Sequence, residues 1–388
     1  MQSRPQTWRA VALAAVFALL VALPVSAARQ QGNRAGFIVV LKDSAGSAAP
    51  VAAEHSRRFG ADVRYVYAHA LKGYAATLSE DQLGALAADA RVDFIERDGT
   101  VAAVTTQTGA TWGIDRIDQR SLPLSGSFTY TTTGAGVKAY IIDTGIRTSH
   151  SEFGGRAVDG YDAVDGTLPA ADCNGHGTHV SGTVGGASYG VAKGVTLVAV
   201  RVLGCSGSGT TSGVIAGIDW VTADHAAGQP AVANMSLGGS ASNALDAAVR
   251  NSIADGVNYA VAAGNGNIVG LAQNACKYSP ARVTEAMTIG ATDQTDKKAS
   301  WSNYGDCVDW FAPGVGITSA WYTSDSATNT ISGTSMATPH TTGVAALYLQ
   351  SNPGASPAAL RDALYNLTTK GVVTSSRTAN NHLLYTSS

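Results

Sequence analysis

Five short runs, residues 137–142, 197–202, 232–237, 257–262 and 286–289, carry at most one charged side chain each and are separated, in several cases, by segments of helical pattern. A strand with one wet face alternates apolar and polar residues. Runs that are apolar on both faces belong to strands buried from both sides, as in a parallel sheet covered by helices. The expected fold is therefore α/β, with a largely parallel central sheet and helices on both faces. In such a sheet, sites form beyond the carboxyl ends of the strands. Asp143, the turn Ser236-Leu237-Gly238-Gly239 and Asn265 all fall just past expected strand ends. The 44 glycines set against only 14 % charged residues fit this picture, because close backbone approaches and tight turns need them.

Residues 36–104 follow a different pattern. Strands are expected at 37–41, 63–69, 73–78 and 92–96, with helices at 50–59 and from Ser79, whose hydroxyl and Gln82 form a capping box. The order βαββαβ is a ferredoxin-like α+β layout, which says nothing about function by itself. Ahead of it stand Arg4 and Arg9, an apolar run at 10–23 and the small-residue exit Pro24-Val25-Ser26-Ala27-Ala28. These are the parts of an export signal over residues 1–28, and the run is short for a membrane span. The expected organisation is 1–28 signal peptide, 29–104 small α+β domain and 105–388 main domain, the product being secreted.

Export places the chain in an oxidising compartment, where Cys173, Cys205, Cys276 and Cys307 become bridge candidates with three possible pairings. Pairing of neighbours, Cys173 with Cys205 and Cys276 with Cys307, is the simplest. No Cys-x-x-Cys occurs to suggest zinc. With 26 basic against 28 acidic residues and no basic run, nucleic acid is excluded as a partner. A monomer is expected, with no membrane attachment once the signal is removed.

Three motifs carry chemistry: Ile141-Ile142-Asp143-Thr144-Gly145, Asn174-Gly175-His176-Gly177-Thr178-His179 and Gly333-Thr334-Ser335-Met336-Ala337-Thr338-Pro339-His340. A serine hydroxyl attacks at neutral pH only with a general base in reach and a third group that holds the base's tautomer. Ser335 precedes a helix of small residues, so its N–H faces where an oxyanion would form. His176, between two glycines, suits the base, and Asp143 ends an apolar strand where its charge needs a partner. His179 lacks the intervening Glu of a zinc motif and reads as packed structure. Asn265, closing Ala262-Ala263-Gly264-Asn265, offers an amide donor opposite the Ser335 N–H. This is the constellation of a serine hydrolase.

In that chain order the three motifs resemble the subtilisin-like serine proteases (subtilases). Thr105 to Asp118, with Trp112-Gly113-Ile114-Asp115-Arg116-Ile117-Asp118, resembles the start of the mature proteinase K and aqualysin group, and the cysteine positions suit its aqualysin side. The likeness runs from about Ala28 to the end and implies an inhibitor-type propeptide that assists folding, blocks the enzyme and is cut off between Val104 and Thr105 by the enzyme itself. It implies a pocket for the residue before the scissile bond, lined by Ser236, Leu237, Gly238, Gly239, Ala262, Ala263 and Gly264. Gly207, Ser208 and Gly209 resemble the edge to which an extended substrate adds as a strand. None of these segments holds a carboxylate, so apolar and aromatic residues should be preferred over basic ones.

The resemblance also implies structural calcium, at Asp309 with the carbonyls of Thr284 and Ala286, and at Asp115, Asp118 and Gln119. At the second site the downstream loop offers Ser125 and Ser127 where acidic or amide ligands are expected, which weakens or removes it. An esterase is disfavoured because Gly-x-Ser-x-Gly is absent. A catalytically silent binding module would lack a motif residue, and none is missing. The expected activity is that of an endopeptidase working through an acyl-enzyme on proteins and peptides.

Overall fold

The computed structural model describes residues 34–99 and 104–387. The expected export signal and the junction residues 101–103 lie outside the described residues. The chain divides into two compact units, Met1–Val101 and Ala102–Ser388.

The first unit holds β1 (Ala35–Leu41), α1 (Ala48–Phe59), β2 (Asp62–Tyr67), β3 (Gly73–Leu78), α2 (Glu80–Ala87) and β4 (Val92–Arg97). The strands form one antiparallel sheet in the order β2-β3-β1-β4, which is the α+β layout the sequence implies. Val39, Leu41, Tyr74, Ala76 and Leu78 from the sheet bury against Val51, Ala52 and Leu86 from the helices. The capping box forms: Gln82 N–H donates to Ser79 Oγ at 3.4 Å, and Ser79 N–H to Gln82 Oε1 at 2.8 Å. It satisfies two of the N–H groups that the start of α2 leaves open.

The second unit begins with β5 (Thr105–Thr108), α3 (Trp112–Ile117) and β6 (Ser127–Tyr130), β5 and β6 pairing antiparallel. There follow β7 (Lys138–Asp143), β8 (Ala157–Asp162), α4 (His176–Gly185), β9 (Thr196–Arg201), α5 (Thr211–Asp224), β10 (Ala231–Met235), β11 (Gly239–Ser240), α6 (Asn243–Asp255), β12 (Asn258–Ala262), β13 (Tyr278–Ser279), β14 (Met287–Thr292), β15 (Trp310–Pro313), β16 (Ile317–Ala320), β17 (Thr328–Ile331), α7 (Thr334–Ser351) and α8 (Pro357–Leu367). Seven strands form the central sheet, all parallel, in the order β15-β14-β12-β10-β7-β9-β8.

The apolar runs have the expected cause. In β7, Ala139 and Ile141 face one cluster, with Val180, Val184, Val344 and Leu347 of α4 and α7. Tyr140 and Ile142 face the other, with Val214, Ile218, Leu245 and Val249 of α5 and α6. Leu197 and Ala199 against Val198 and Val200 repeat the division in β9. Both faces are covered, so alternation leaves no polar trace in the sequence. The runs missed β8 and β15. β8 is an edge strand whose sequence Ala-Val-Asp-Gly-Tyr-Asp is half polar, and β15 is only four residues long.

Arg116 of α3 is fully buried and grips Asp296 with two bonds, Nε to Oδ1 at 2.7 Å and Nη2 to Oδ2 at 2.8 Å. Removing one member of a buried pair strands the other's charge, so Asp296→Ala should cost about 3–5 kcal/mol. A clear drop in thermal unfolding temperature, with activity kept at low temperature, is the expected result; an unchanged melting curve would contradict it.

Candidate active site

Asp143 ends β7 at the carboxyl edge of the sheet, where its two neighbouring strands, β9 and β10, lie on opposite sides of it. Its carboxylate is wholly buried. Oδ1 accepts the His176 Nδ1–H at 2.7 Å and the Thr144 N–H at 2.8 Å. Oδ2 has no hydrogen-bond partner among the described residues. His176 opens α4, and its two glycine neighbours are there for space. A Cβ on Gly175, at φ +108°, would lie 2.5 Å from the Trp321 ring, and one on Gly177 would lie 2.1 Å from the Gly145 carbonyl.

Asp172, which sequence reasoning passed over, holds the two motifs together. Its Oδ1 accepts the Thr144 hydroxyl (2.9 Å) and the N–H groups of Asn174 (2.9 Å) and Gly175 (2.8 Å). Its Oδ2 accepts the Thr178 N–H (2.9 Å) and hydroxyl (2.6 Å). Burial acts to lower the His176 pKa, but the charge and hydrogen bond of Asp143, with Asp172 behind, outweigh it, and the net shift is upward. His179 is fully buried with Nε2 3.0 Å from the Ile317 carbonyl, and burial pushes its pKa down to about 4. It is neutral packing.

Ser335 is the second residue of α7. Its hydroxyl donates to the Ser236 carbonyl at 3.0 Å, and the Ser236 hydroxyl donates to the Ser335 carbonyl at 2.8 Å. The second bond has a cause in the motif. Pro339, four residues on, has no N–H, so the Ser335 carbonyl loses its helical partner and takes the Ser236 hydroxyl instead. Ser236 is held in turn by Asn234 Nδ2 (2.9 Å), whose Oδ1 accepts the Thr342 hydroxyl (2.9 Å).

Asn265 is oriented by its acceptor end. Oδ1 takes the Thr334 N–H and hydroxyl, both at 2.8 Å, and of an amide's two ends only the oxygen accepts, so Nδ2 is the end left to donate. Asn303, also missed in the sequence, fixes this segment: Nδ2 donates to the Ala263 carbonyl (2.8 Å) and Oδ1 accepts the N–H groups of Gly266 (3.0 Å) and Gln273 (2.8 Å).

Two cavities meet at Ser335. One of about 430 Å³ is lined by His176 and Ser335, by Gly207, Ser208 and Gly209 on one side and by Ser236 through Gly239 on the other. The second, about 260 Å³, is lined by Leu237 to Gly239, Ala262 to Gly266, Tyr278, Ala281 and Ser335, with no acidic residue. Tyr278, Ala281 and Gly266 are additions to the sequence expectation. The disulfide Cys173–Cys205 ties the segment before His176 to the segment before Gly207, reinforced by Asn174 Nδ2 donating to the Cys205 carbonyl at 2.9 Å. Cys276–Cys307 is the second bridge.

Among the expected cation ligands, Asp309 has both oxygens engaged, Oδ1 by the Arg361 guanidinium and Oδ2 by the Thr288 N–H at 2.7 Å. Thr284 is exposed and donates to Glu285. A guanidinium already supplies the positive charge there, so as arranged these residues, Thr284, Ala286 and Asp309, do not fit calcium. The other cluster converges. Asp115 Oδ1 accepts the Ser125 hydroxyl at 2.9 Å, the Ser127 hydroxyl lies 2.8 Å from that of Ser125, and Gln119 Oε1 accepts the Ser125 N–H at 3.1 Å. Asp118 is half buried, and burial, with Asp115 adding its charge, pushes its pKa up to about 6. The partners of both carboxylates are hydroxyl and backbone N–H groups, none cationic, so no charge in the cluster balances them, and a hard cation such as calcium would fit there. Val104 is exposed, and Thr105 pairs with Tyr130 at the start of β5.

Comparison with known proteins places the chain in a family. Residues 134–383 match the model of the subtilase family, and residues 36–103 that of peptidase inhibitor I9. The chain is 60 % identical to an extracellular serine proteinase of Thermus sp. (strain Rt41A) over 84 % of its own length and 78 % of that protein. It is 54 % identical to alkaline serine exoprotease A of Vibrio alginolyticus, again over 84 % of its length but 61 % of the relative. A crystal structure of a cold-adapted subtilisin-like serine proteinase superposes with a TM-score of 0.69 at 55 % identity, covering 72 % of this chain and 98 % of that one. No helix among the described residues is long and apolar enough to cross a membrane.

Proposed function

The chain belongs to the subtilase family of serine endopeptidases, and from that membership we propose that it is secreted and cuts proteins through Asp143, His176 and Ser335. The observation that carries the reading is the 2.7 Å Asp143–His176 bond in a cleft whose wall includes Ser335 and whose neighbouring cavity includes Asn265. His176 Nε2 takes the Ser335 proton as Oγ attacks the scissile carbonyl carbon. The hydroxyl has one proton, so its bond to the Ser236 carbonyl opens as it turns to His176. Asn265 Nδ2 and the Ser335 N–H donate to the oxyanion. His176 then gives the proton to the leaving amine, the C–N bond breaks, and water repeats the sequence on the acyl-enzyme.

The uncharged cavity of about 260 Å³ supports a preference for apolar and aromatic residues before the cut. The I9 segment supports a precursor held inactive by its own N-terminal unit and cut at Val104–Thr105. Purified protein should hydrolyse four-residue chromogenic peptides ending in Phe far faster than those ending in Arg, and a sulfonyl fluoride should block both. The Ser335→Ala precursor should keep its N-terminal unit. Preference for Arg would remove the specificity reading, and unaided maturation of Ser335→Ala would remove self-processing.

Calcium is assigned to Asp115, Asp118, Gln119 and Ser125, where its role is structural: it would neutralise two nearby carboxylates and tie the loop before β6 to α3. Chelation is expected to speed thermal inactivation, and Asp118→Asn to make the protein indifferent to chelator. Identical inactivation rates with and without chelator would withdraw the assignment.

A further inference from the structure

The segment that leaves the Asn265 wall carries three of the four most exposed large apolar side chains among the described residues of the second unit. Ile268 is 104 % exposed, Val269 69 % and Leu271 62 %. The loop is nevertheless built. Asn267 Oδ1 accepts the N–H groups of Val269 (3.1 Å) and Leu271 (3.0 Å), Asn267 N–H donates to the Leu271 carbonyl (2.9 Å), and Gly270 N–H to the Asn267 carbonyl (2.8 Å). Asn303 clamps both stems through Gly266 and Gln273. Its shape is set by backbone and amide bonds, and its three apolar side chains contribute nothing to that shape. Contiguous apolar surface left in water on a well-ordered element marks a binding surface.

Its position says what it would bind. Asn265 and Gly266, where the loop begins, line the cavity proposed to hold the residue before the scissile bond. We infer that Ile268, Val269 and Leu271 form an exosite that holds an apolar stretch of an unfolded protein substrate beside the segment being cut. This rests on the protease reading above. An unfolded chain offers such stretches at many positions and a short peptide offers none beyond the cavity itself, so the exosite acts on KM for proteins and leaves the chemical step alone.

The test uses the mature enzyme, a four-residue chromogenic peptide with Phe before the cut, and denatured casein. In the variant carrying Ile268→Ser, Val269→Ser and Leu271→Ser, peptide kinetics stay within about twofold while KM for casein rises about five- to tenfold at unchanged kcat, the scale expected for uncovering a few partly buried apolar groups. A control carrying Ile268→Val, Val269→Ile and Leu271→Met keeps the wild-type KM. Equal losses on both substrates would mean that the loop acts through the cavity wall, and no change on either would mean that it binds nothing of the substrate. A wild-type dimer dissolved by the serine variant would assign the surface to a second copy. Each of these overturns the inference. If wild-type enzyme fails to cut the chromogenic peptide at all, the protease reading falls first and the exosite with it.

Discussion

Asp143→Asn is expected to lower kcat by about 10⁴-fold, the magnitude known for the same change in a serine protease of unrelated fold. The structural reason is the single Nδ1–H bond that fixes the His176 tautomer. An amide can present its NH₂ to Nδ1, which stabilises the tautomer with its proton on Nε2, where it cannot accept from Ser335. The pH profile separates this from misfolding. In the wild type the raised His176 pKa puts the acid limb of kcat/KM above the ordinary histidine value of 6.5, because only the neutral imidazole can act as base. With the Asp143 charge gone, burial dominates, and the acid limb of the residual activity moves to lower pH. A small loss of kcat, or an acid limb that moves upward, would contradict the assignment.

Asn265→Asp should lower kcat by at least about 10²- to 10³-fold with KM for a chromogenic peptide little changed, again the scale known for this enzyme class. The choice of Asp matters. Asp keeps an oxygen for the Thr334 N–H and hydroxyl, so the segment stays in place, while the donor facing the oxyanion is lost. Equal loss in kcat and binding would point to a displaced wall, and an unchanged kcat would show that Nδ2 does not face the reacting carbonyl.

The buried sheet, the α+β unit and the three motifs proposed to carry the chemistry were legible because each is written in a few neighbouring residues: apolar runs, a capping box, glycines on both sides of His176. What stayed hidden depends on chain segments far apart. The Ser236–Ser335 bonds span 99 positions, the Asn303 clamp on Ala263 spans 40, and the Arg361 contact that changes the reading of Asp309 spans 52. No local pattern announces a hydroxyl that replaces a proline's missing N–H, or a guanidinium delivered by a helix late in the chain. The loop before β6 is another case: nothing local in Ser125 and Ser127 shows that folding sets the Ser125 hydroxyl on Asp115 and the Ser127 hydroxyl on that of Ser125.

Ser236 belongs to two structures at once, since it walls the proposed substrate cleft and also closes the gap that Pro339 opens in the helix bearing the proposed nucleophile. Reshaping substrate choice at that position would loosen the attacking residue along with it. Variation among descendants of this chain should therefore accumulate at Tyr278 or Ala281, which shape the neighbouring cavity without holding Ser335, leaving Ser236 a fixed hinge pin around which diet can change.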